Sequence, residues 1–294
     1  MQDFRTWLQQ GELAGQSYRL ASPRRSLKGA AGFHAGSQNG VSLDFSDYRE
    51  YHPGDDIRSL DWNVFGRTDR LTIKLYHEEV APHVDIVLDA SRSMGLVESK
   101  PQALLGIGAL LATAAAGGNY SWNAFRLGAR LARLERGREI PSHWPELEYE
   151  PLKNPGAPLR ESAGVLKRQG VRILVSDLLW STEPLGVLRR FAEGASSVVV
   201  VQLLARADVV PPEPGKYRLD DAETGESIEV FVDADTQKQY VERLEQHTQH
   251  WNDACRQTGT AFCRLVAEDL LADWRLDPLL RTGIIEHRSG GPAC

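Results

Sequence analysis

Cysteine is scarce in this 294-residue chain: Cys255, Cys263 and Cys294 are the only three, an odd number without CxxC spacing. That excludes a disulfide scaffold and a cysteine-based zinc site, and it points to a reducing compartment. The eight histidines form no HxH or HExxH pair, which removes the usual catalytic zinc arrangement. His52 and His77 read as surface or packing residues. No Gly-x-Gly-x-x-Gly opens a helix, no P-loop is present, and residues 91–95 do not spell a Gly-x-Ser-x-Gly elbow. Nucleotide sites of those types and a serine-hydrolase elbow are therefore unsupported. Long apolar runs are lacking too. The longest, Leu104 to Gly118, is rich in Ala and Gly and about three residues short of a membrane span, so it reads as a buried helix. The first residues, Met-Gln-Asp-Phe-Arg-Thr-Trp, have neither the basic nor the apolar region of a signal peptide. A net charge of −6 argues against nonspecific nucleic-acid binding, with Arg24-Arg25 and the stretch Arg126 to Arg138 read as solvated faces or loops. The expectation is a soluble, cytoplasmic protein with no nucleic-acid partner and no membrane insertion.

What is present is an alternation of strands and helices. Strands are expected over 84–88, 120–127, 171–176, 197–204 and 261–266, and helices over 101–117, 158–169, 183–193, 235–257 and 268–281. The runs 171–176 and 197–204 are β-branched and almost continuously apolar, as in strands covered by helices on both faces. In the 235–257 helix Tyr240, Val241, Leu244, Trp251 and Cys255 fall near one stripe, with Asp235 placed to cap the start and Gly259 past the end. This pattern predicts an α/β fold with a central, mostly parallel sheet and helices on both sides. Two strand-like runs flanking Glu223-Thr-Gly-Glu226 predict a β-hairpin inserted near 216–232. Residues 1–20 read as a short helix with Phe4, Trp7 and Leu8 on one face. Residues 21–40 read as a mobile, basic arm, and 71–76 as a half-buried strand. The division expected is 1–80, holding helix, arm and a β-rich extension packed on the main domain, and 81–294, the α/β domain.

The chemistry concentrates after the first central strand. In Val84-Asp-Ile-Val-Leu-Asp-Ala-Ser-Arg-Ser-Met94 the apolar run stops at Asp89, and hydroxyls follow at Ser91 and Ser93. Asp177 stands just past the 171–176 strand. In open parallel sheets ligands gather beyond the strands' C-terminal ends, where strand order reverses. Two acids there would repel, and a hard divalent cation with oxygen ligands would relieve that repulsion. The alternative is that Ser91 and Ser93 cap the next helix while Asp177 closes a turn. Upstream, Tyr51, Pro53, Gly54, Asp55, Arg58, Asp61 and Trp62 lie in a dense block of mixed charge and aromatics. An acid–base cluster is conceivable there. A hydrogen-bonded network is the preferred reading: Pro53-Gly54 makes the turn, Arg58 pairs with an acid, and Trp62 packs at the domain boundary.

Asp89-Ala-Ser-Arg-Ser93 resembles the Asp-x-Ser-x-Ser metal-ion-dependent adhesion site of von Willebrand factor A domains, with Asp177 matching their later acid. The block Asp47-Tyr-Arg-Glu-Tyr-His-Pro-Gly-Asp-Asp-Ile-Arg-Ser-Leu-Asp-Trp62 resembles the signature of domain-of-unknown-function family 58. Gly66-Arg67, Leu71, Lys74, Glu78-Glu79, Asp220-x-x-Glu-Thr-Gly-Glu226, Tyr240 and Cys255 extend that match. The resemblance implies a von Willebrand factor A-like (Rossmann-type) domain and an adaptor role in assembly or maturation of other proteins. The implied partner is a MoxR-type AAA+ ATPase or another von Willebrand factor A protein. It also implies Mg²⁺ (or Mn²⁺ or Ca²⁺) held by Asp89, Ser91, Ser93 and Asp177 and completed by a partner's carboxylate. One ligand departs from the pattern, since Ala157 stands where those domains place a Thr. Two other readings are a metal-free interaction scaffold and a phosphatase-like hydrolase with Asp89 as nucleophile. Against the latter, dehalogenase-type phosphatases carry a second Asp where this chain has Ser91.

Overall fold

The structure is a computed structural model that describes residues 4–21, 43–53, 55–78, 82–134, 140–161 and 164–288. Residues 25–81 form one compact unit, and residues 1–24 with 82–294 form the other. The chain opens with helix α1 (Phe4–Gly15) and strand β1 (Tyr18–Leu20). The division expected at residue 80 is thereby redrawn. Helix α1 does not group with the signature block; Leu8 is fully buried in the core of the larger unit. The expected arm falls mostly outside the described residues.

The smaller unit consists of β2 (Leu43–Glu50), a 3₁₀ turn (Ile57–Ser59), α2 (Trp62–Thr68) and β3 (Thr72–Glu78). The two strands pair antiparallel, from Leu43 opposite Glu78 to Glu50 opposite Thr72, with an irregularity between Phe45 and Asp47. Its signature residues bind one another locally. Arg49 Nη2 donates to Asp55 Oδ1 at 2.8 Å, and the His52 amide donates to Asp55 Oδ2 at 2.8 Å. The His52 amide first, and then the guanidinium, hold the Asp55 carboxyl below the usual carboxylate range. Asp61 caps α2, accepting from the amides of Asn63 and Val64, and Tyr48 OH lies 3.3 Å from its other oxygen. The Tyr51 amide reaches Leu71 O at 2.9 Å. One expectation is corrected here: among the described residues the guanidinium that pairs with an acid of the block is that of Arg49, on Asp55, whereas Arg58 binds Asp56 through its backbone amide. Within the smaller unit Trp62 lies edge-on to Phe65. Pro53 is exposed, and Gly54 lies outside the described residues.

The larger unit continues with β4 (His83–Asp89), a single turn α3 (Arg92–Gly95), α4 (Ser99–Gly117), β5 (Ser121–Leu127) and β6 (Leu131–Arg133). Next come α5 (Gly156–Glu161), β7 (Val171–Ser176), α6 (Pro184–Ala192), β8 (Ser197–Leu204) and α7 (Arg206–Val209). The chain ends with the hairpin β9 (Gly215–Asp220) and β10 (Ser227–Val232), α8 (Ala234–Gln257), β11 (Ala261–Val266), α9 (Ala267–Asp273), α10 (Asp277–Thr282) and β12 (Ile285–His287). Six strands make one sheet in the order β11-β8-β7-β4-β5-β6, all parallel except the short edge strand β6. Counted within the sheet this is the doubly wound order 3-2-1-4-5-6.

Both faces of the sheet are covered, which is why β4, β7 and β8 read as near-continuous apolar runs. Ile86, Leu88, Ile173 and Val201 face a core shared with α1, α4 and α9, while Val87, Leu174 and Val200 face one containing Phe191 and Trp251. Helix α4 is the apolar run expected to be buried. It is apolar all round because it is covered by α1 on one side and the sheet on the other. Among the described residues no helix is long and apolar enough to cross a membrane.

Three helices depart from expectation. The helix expected over 158–169 stops at Glu161; Gly164 (φ +93°) and Gln169 (φ +58°) turn the chain back toward β7. The helix expected over 268–281 breaks in two at Trp274, which adopts a left-handed φ of 56°, and Pro278 helps restart it. In α8 the cap is Asp233, whose side chain accepts from the Thr236 amide, not Asp235. Only the second half of the stripe is covered: Trp251 and Cys255 are buried, but Tyr240 and Val241 are largely exposed.

Candidate functional site

Strand order reverses between β4 and β7, so the ends of these two strands flank the switch point of the sheet, where doubly wound proteins place their ligands. Asp89 closes β4, and Asp177 follows β7. The structure thus brings all four expected residues, Asp89, Ser91, Ser93 and Asp177, to one crest. It also brings four more: Lys100 from α4, Ser176 from β7, Asp208 from α7 and Glu223 from the tip of the β9–β10 hairpin.

Asp89 has no exposed surface, and both its oxygens are engaged. Oδ1 accepts from the Ser91 amide at 2.8 Å, and Oδ2 accepts from Ser176 Oγ at 2.6 Å. Ser176 Oγ in turn accepts from the Leu178 amide at 2.9 Å. Leu178 holds a left-handed φ of 59°, and His247 Nε2 meets its carbonyl at 2.7 Å, fixing the turn that follows β7. Ser91 Oγ makes no cap to α3; it lies 3.1 Å from Ser93 Oγ. The capping alternative for Ser91 is therefore not realised, whereas Asp177 does close a turn, its Oδ1 accepting from the Leu179 amide at 3.1 Å.

The central group is Lys100, which is 1% exposed. Its ammonium donates to Asp177 Oδ2 at 2.9 Å, to Asp208 Oδ2 at 2.8 Å and to Ser93 O at 3.4 Å. Three donors meet three acceptors, so the buried charge is fully satisfied. Burial alone would lower the Lys100 pKa, but Asp177 and then Asp208 outweigh it and raise it. The ammonium stays charged through neutral pH.

As placed, these residues do not fit a resident divalent ion. A protonated amine already neutralises Asp177, and both Asp89 oxygens are spent on donors. Ala157, in the first turn of α5, supplies no ligand atom. Among the described residues no group of three or more acidic, histidine or cysteine side chains is placed to hold a metal ion.

Burial first, and then the neighbouring Asp177 charge, push the Asp89 carboxyl up to about 7, against the pull of its hydrogen bonds. An acid whose folded pKa is raised contributes stability that is full below its unfolded pKa near 4 and is lost as pH rises through about 7. Asp89→Asn, neutral throughout, is expected to unfold with a flatter pH dependence and to gain roughly 2 kcal/mol relative to the native chain between pH 5 and 8. Urea titrations at both pH values check this, and parallel curves would refute it.

Beside this cluster lies an open cavity of about 240 Å³, lined among others by Ser93, Leu96, Lys100, Leu179, Asp208 and Glu223. Leu96 is 64% and Leu179 38% exposed, which gives the mouth an apolar rim. Lys100 had a signal in the sequence: it is the lone charge in an otherwise apolar helix. Glu223 stood out only as part of the hairpin turn and the family match, and neither Ser176 nor Asp208 was singled out; the fold brings all three here.

Fold and crest together define a doubly wound α/β protein with a polar, ion-paired switch point. The chain belongs to the family described as "Protein of unknown function DUF58", whose model matches residues 47–250. Proteins of Mycobacterium bovis and Mycobacterium tuberculosis, described only as uncharacterized, are 25% identical to it over 262 residues, covering 82% of this chain and 80% of theirs. Among solved structures it is similar to the conserved hypothetical protein BatB from Bacteroides thetaiotaomicron (12% identity, TM-score 0.33, 68% of this chain and 98% of that one). It is also similar to an aerotolerance-related membrane protein from Bacteroides fragilis (13% identity, TM-score 0.32, 65% and 96%).

Proposed function

We propose that this chain is a non-enzymatic, cytoplasmic adaptor whose larger unit is a von Willebrand factor A-like domain. It uses the crest to hold a protein partner, a MoxR-type AAA+ ATPase or another von Willebrand factor A protein. The observation that carries this reading is the cavity at the switch point. It combines half-buried polar groups with an apolar rim of exposed leucines, the composition of a small recognition pocket. Every strong acid or base beside it is already committed. Asp89, the residue a phosphatase mechanism would need as nucleophile, is buried with both oxygens hydrogen-bonded, which favours binding over turnover. The sheet order and the Asp-x-Ser-x-Ser run at the end of β4 support the domain type, and the family resemblance supports the partner.

Leu96→Glu tests this at the rim, because the side chain is exposed and its replacement leaves the core alone. With the purified AAA+ ATPase encoded by the same organism, the native chain is expected to form a complex. The variant should bind at least roughly tenfold more weakly, in keeping with loss of an interface anchor. Equal binding by both chains would remove the crest from the interface, and absence of any complex would remove this partner.

A further inference from the structure

The hairpin inserted between α7 and α8 delivers a carboxylate to the crest. Asp221 shapes its tip: Oδ1 accepts from the amides of Glu223 at 2.8 Å and Thr224 at 2.7 Å, and Gly225, with φ of 74°, closes the turn onto Asp221 O. A β-carbon would strain that conformation, which makes Gly the residue suited to position 225. The rigid tip aims Glu223 inward. Its Oε1 accepts from the Ser93 amide at 2.9 Å, and its Oε2 accepts from the Leu152 amide at 2.5 Å. Arg92 Nη1 fastens the same tip through Ala222 O at 3.3 Å. Both carboxylate oxygens are thus seated on backbone amides, one from the Asp-x-Ser-x-Ser turn and one from the segment after β6. The residue is only half-buried and borders the open cavity, so it can leave without disturbing either core.

We infer that the paired amides of Ser93 and Leu152 are a carboxylate receptor that works without metal, and that Glu223 is its internal occupant, displaced when a partner inserts an acidic side chain. The inference rests on the adaptor reading for the partner's existence, but the receptor itself is a property of this chain. Lys100 takes the place of a cation in the cluster: it ties α4 and the Ser93 carbonyl to the ends of β7 and β8 through Asp177 and Asp208. It thereby keeps the turn bearing the Ser93 amide in place. Carboxylate recognition is then left to two preorganised N–H donors. An internal ligand lowers apparent affinity by the fraction of time that it vacates the seat. Entry is therefore regulated by the hairpin.

The test uses the full chain and acetate as the probe, followed through the amide resonances of Ser93 and Leu152. In Glu223→Ala both amides are expected to shift saturably with acetate, equally in EDTA and in Mg²⁺. The apparent affinity should be roughly tenfold or more above that of the native chain. Glu223→Gln, which keeps the side chain's length but loses its charge, should fall between the two. An unchanged melting temperature in Glu223→Ala shows that the fold persists. The inference is overturned if the amides of the folded Glu223→Ala chain do not respond, or respond only when Mg²⁺ is present. A responding receptor in a chain that binds no AAA+ ATPase would overturn the adaptor reading alone.

Discussion

Lys100→Met should destabilise the larger unit by about 3–5 kcal/mol, the range measured when one partner of a buried ion pair is removed. The methionine fills the volume of the aliphatic stem, so the loss is electrostatic. Asp177 has no exposed surface and Asp208 little, and both would be left without their shared counter-ion. The triple variant Lys100→Met, Asp177→Asn, Asp208→Asn removes the stranded charges as well. It is expected to recover much of the loss, because a neutral cluster carries no unpaired ion. Urea unfolding of the three chains, native, single and triple, decides the matter. If Lys100→Met cost less than about 1 kcal/mol, the value of an exposed pair, the ammonium would not be the keystone described above.

Gly11→Ala has the second large expected effect, at a site with no chemistry at all. Helices α1 and α4 cross so closely that a β-carbon on Gly11 would overlap the backbone carbonyl of Gly106. Backbone cannot rotate away as a side-chain tip can. Gly106 is also blocked on its other flank, where an added carbon would run into the Trp274 ring. The expected cost is about 1–3 kcal/mol or more, the range for overpacking, and it should appear locally. Hydrogen exchange should show protection lost over residues 4–15, with the central strands still protected. Unaltered protection in α1 would mean that the two helices can slide apart at little cost.

The strands were the most legible part of the sequence. Residues 171–176, 197–204 and 261–266 match the observed strands to the residue; in the first two, burial of both faces leaves a nearly continuous apolar run. The hairpin around Glu223-Thr-Gly-Glu226 was legible through its turn chemistry. Helix ends were harder. The break at Trp274 carries no Gly or Pro of its own; the residue is left-handed there, and its indole lies against Gly106. Half of the crest was visible: a carboxylate and two hydroxyls beyond one strand, and an acid beyond another. Its charge balance was not. Lys100 lies 77 positions from Asp177, and Glu223 lies 130 from Ser93. No local pattern carries pairings over such separations. The metal expectation rests on Asp89, Ser91, Ser93, Asp177 and the adhesion-site resemblance, and no local pattern shows that Lys100 also pairs with Asp177.

Among the described residues the short strand β1 pairs with β12 alone, Tyr18 opposite His287 and Leu20 opposite Ile285, and Arg19 binds Glu286 across the same ladder at 2.8 Å. These partners lie 267 positions apart. On a ribosome adding roughly 5–20 residues per second, β1 waits about 13–50 s for the strand that holds it. During that interval the smaller unit, formed entirely from residues 25–81, has all its own segments at hand. The order of assembly is therefore nested: the inserted unit can be complete while the segment before it is still unpaired, and β12 emerges later to fasten β1.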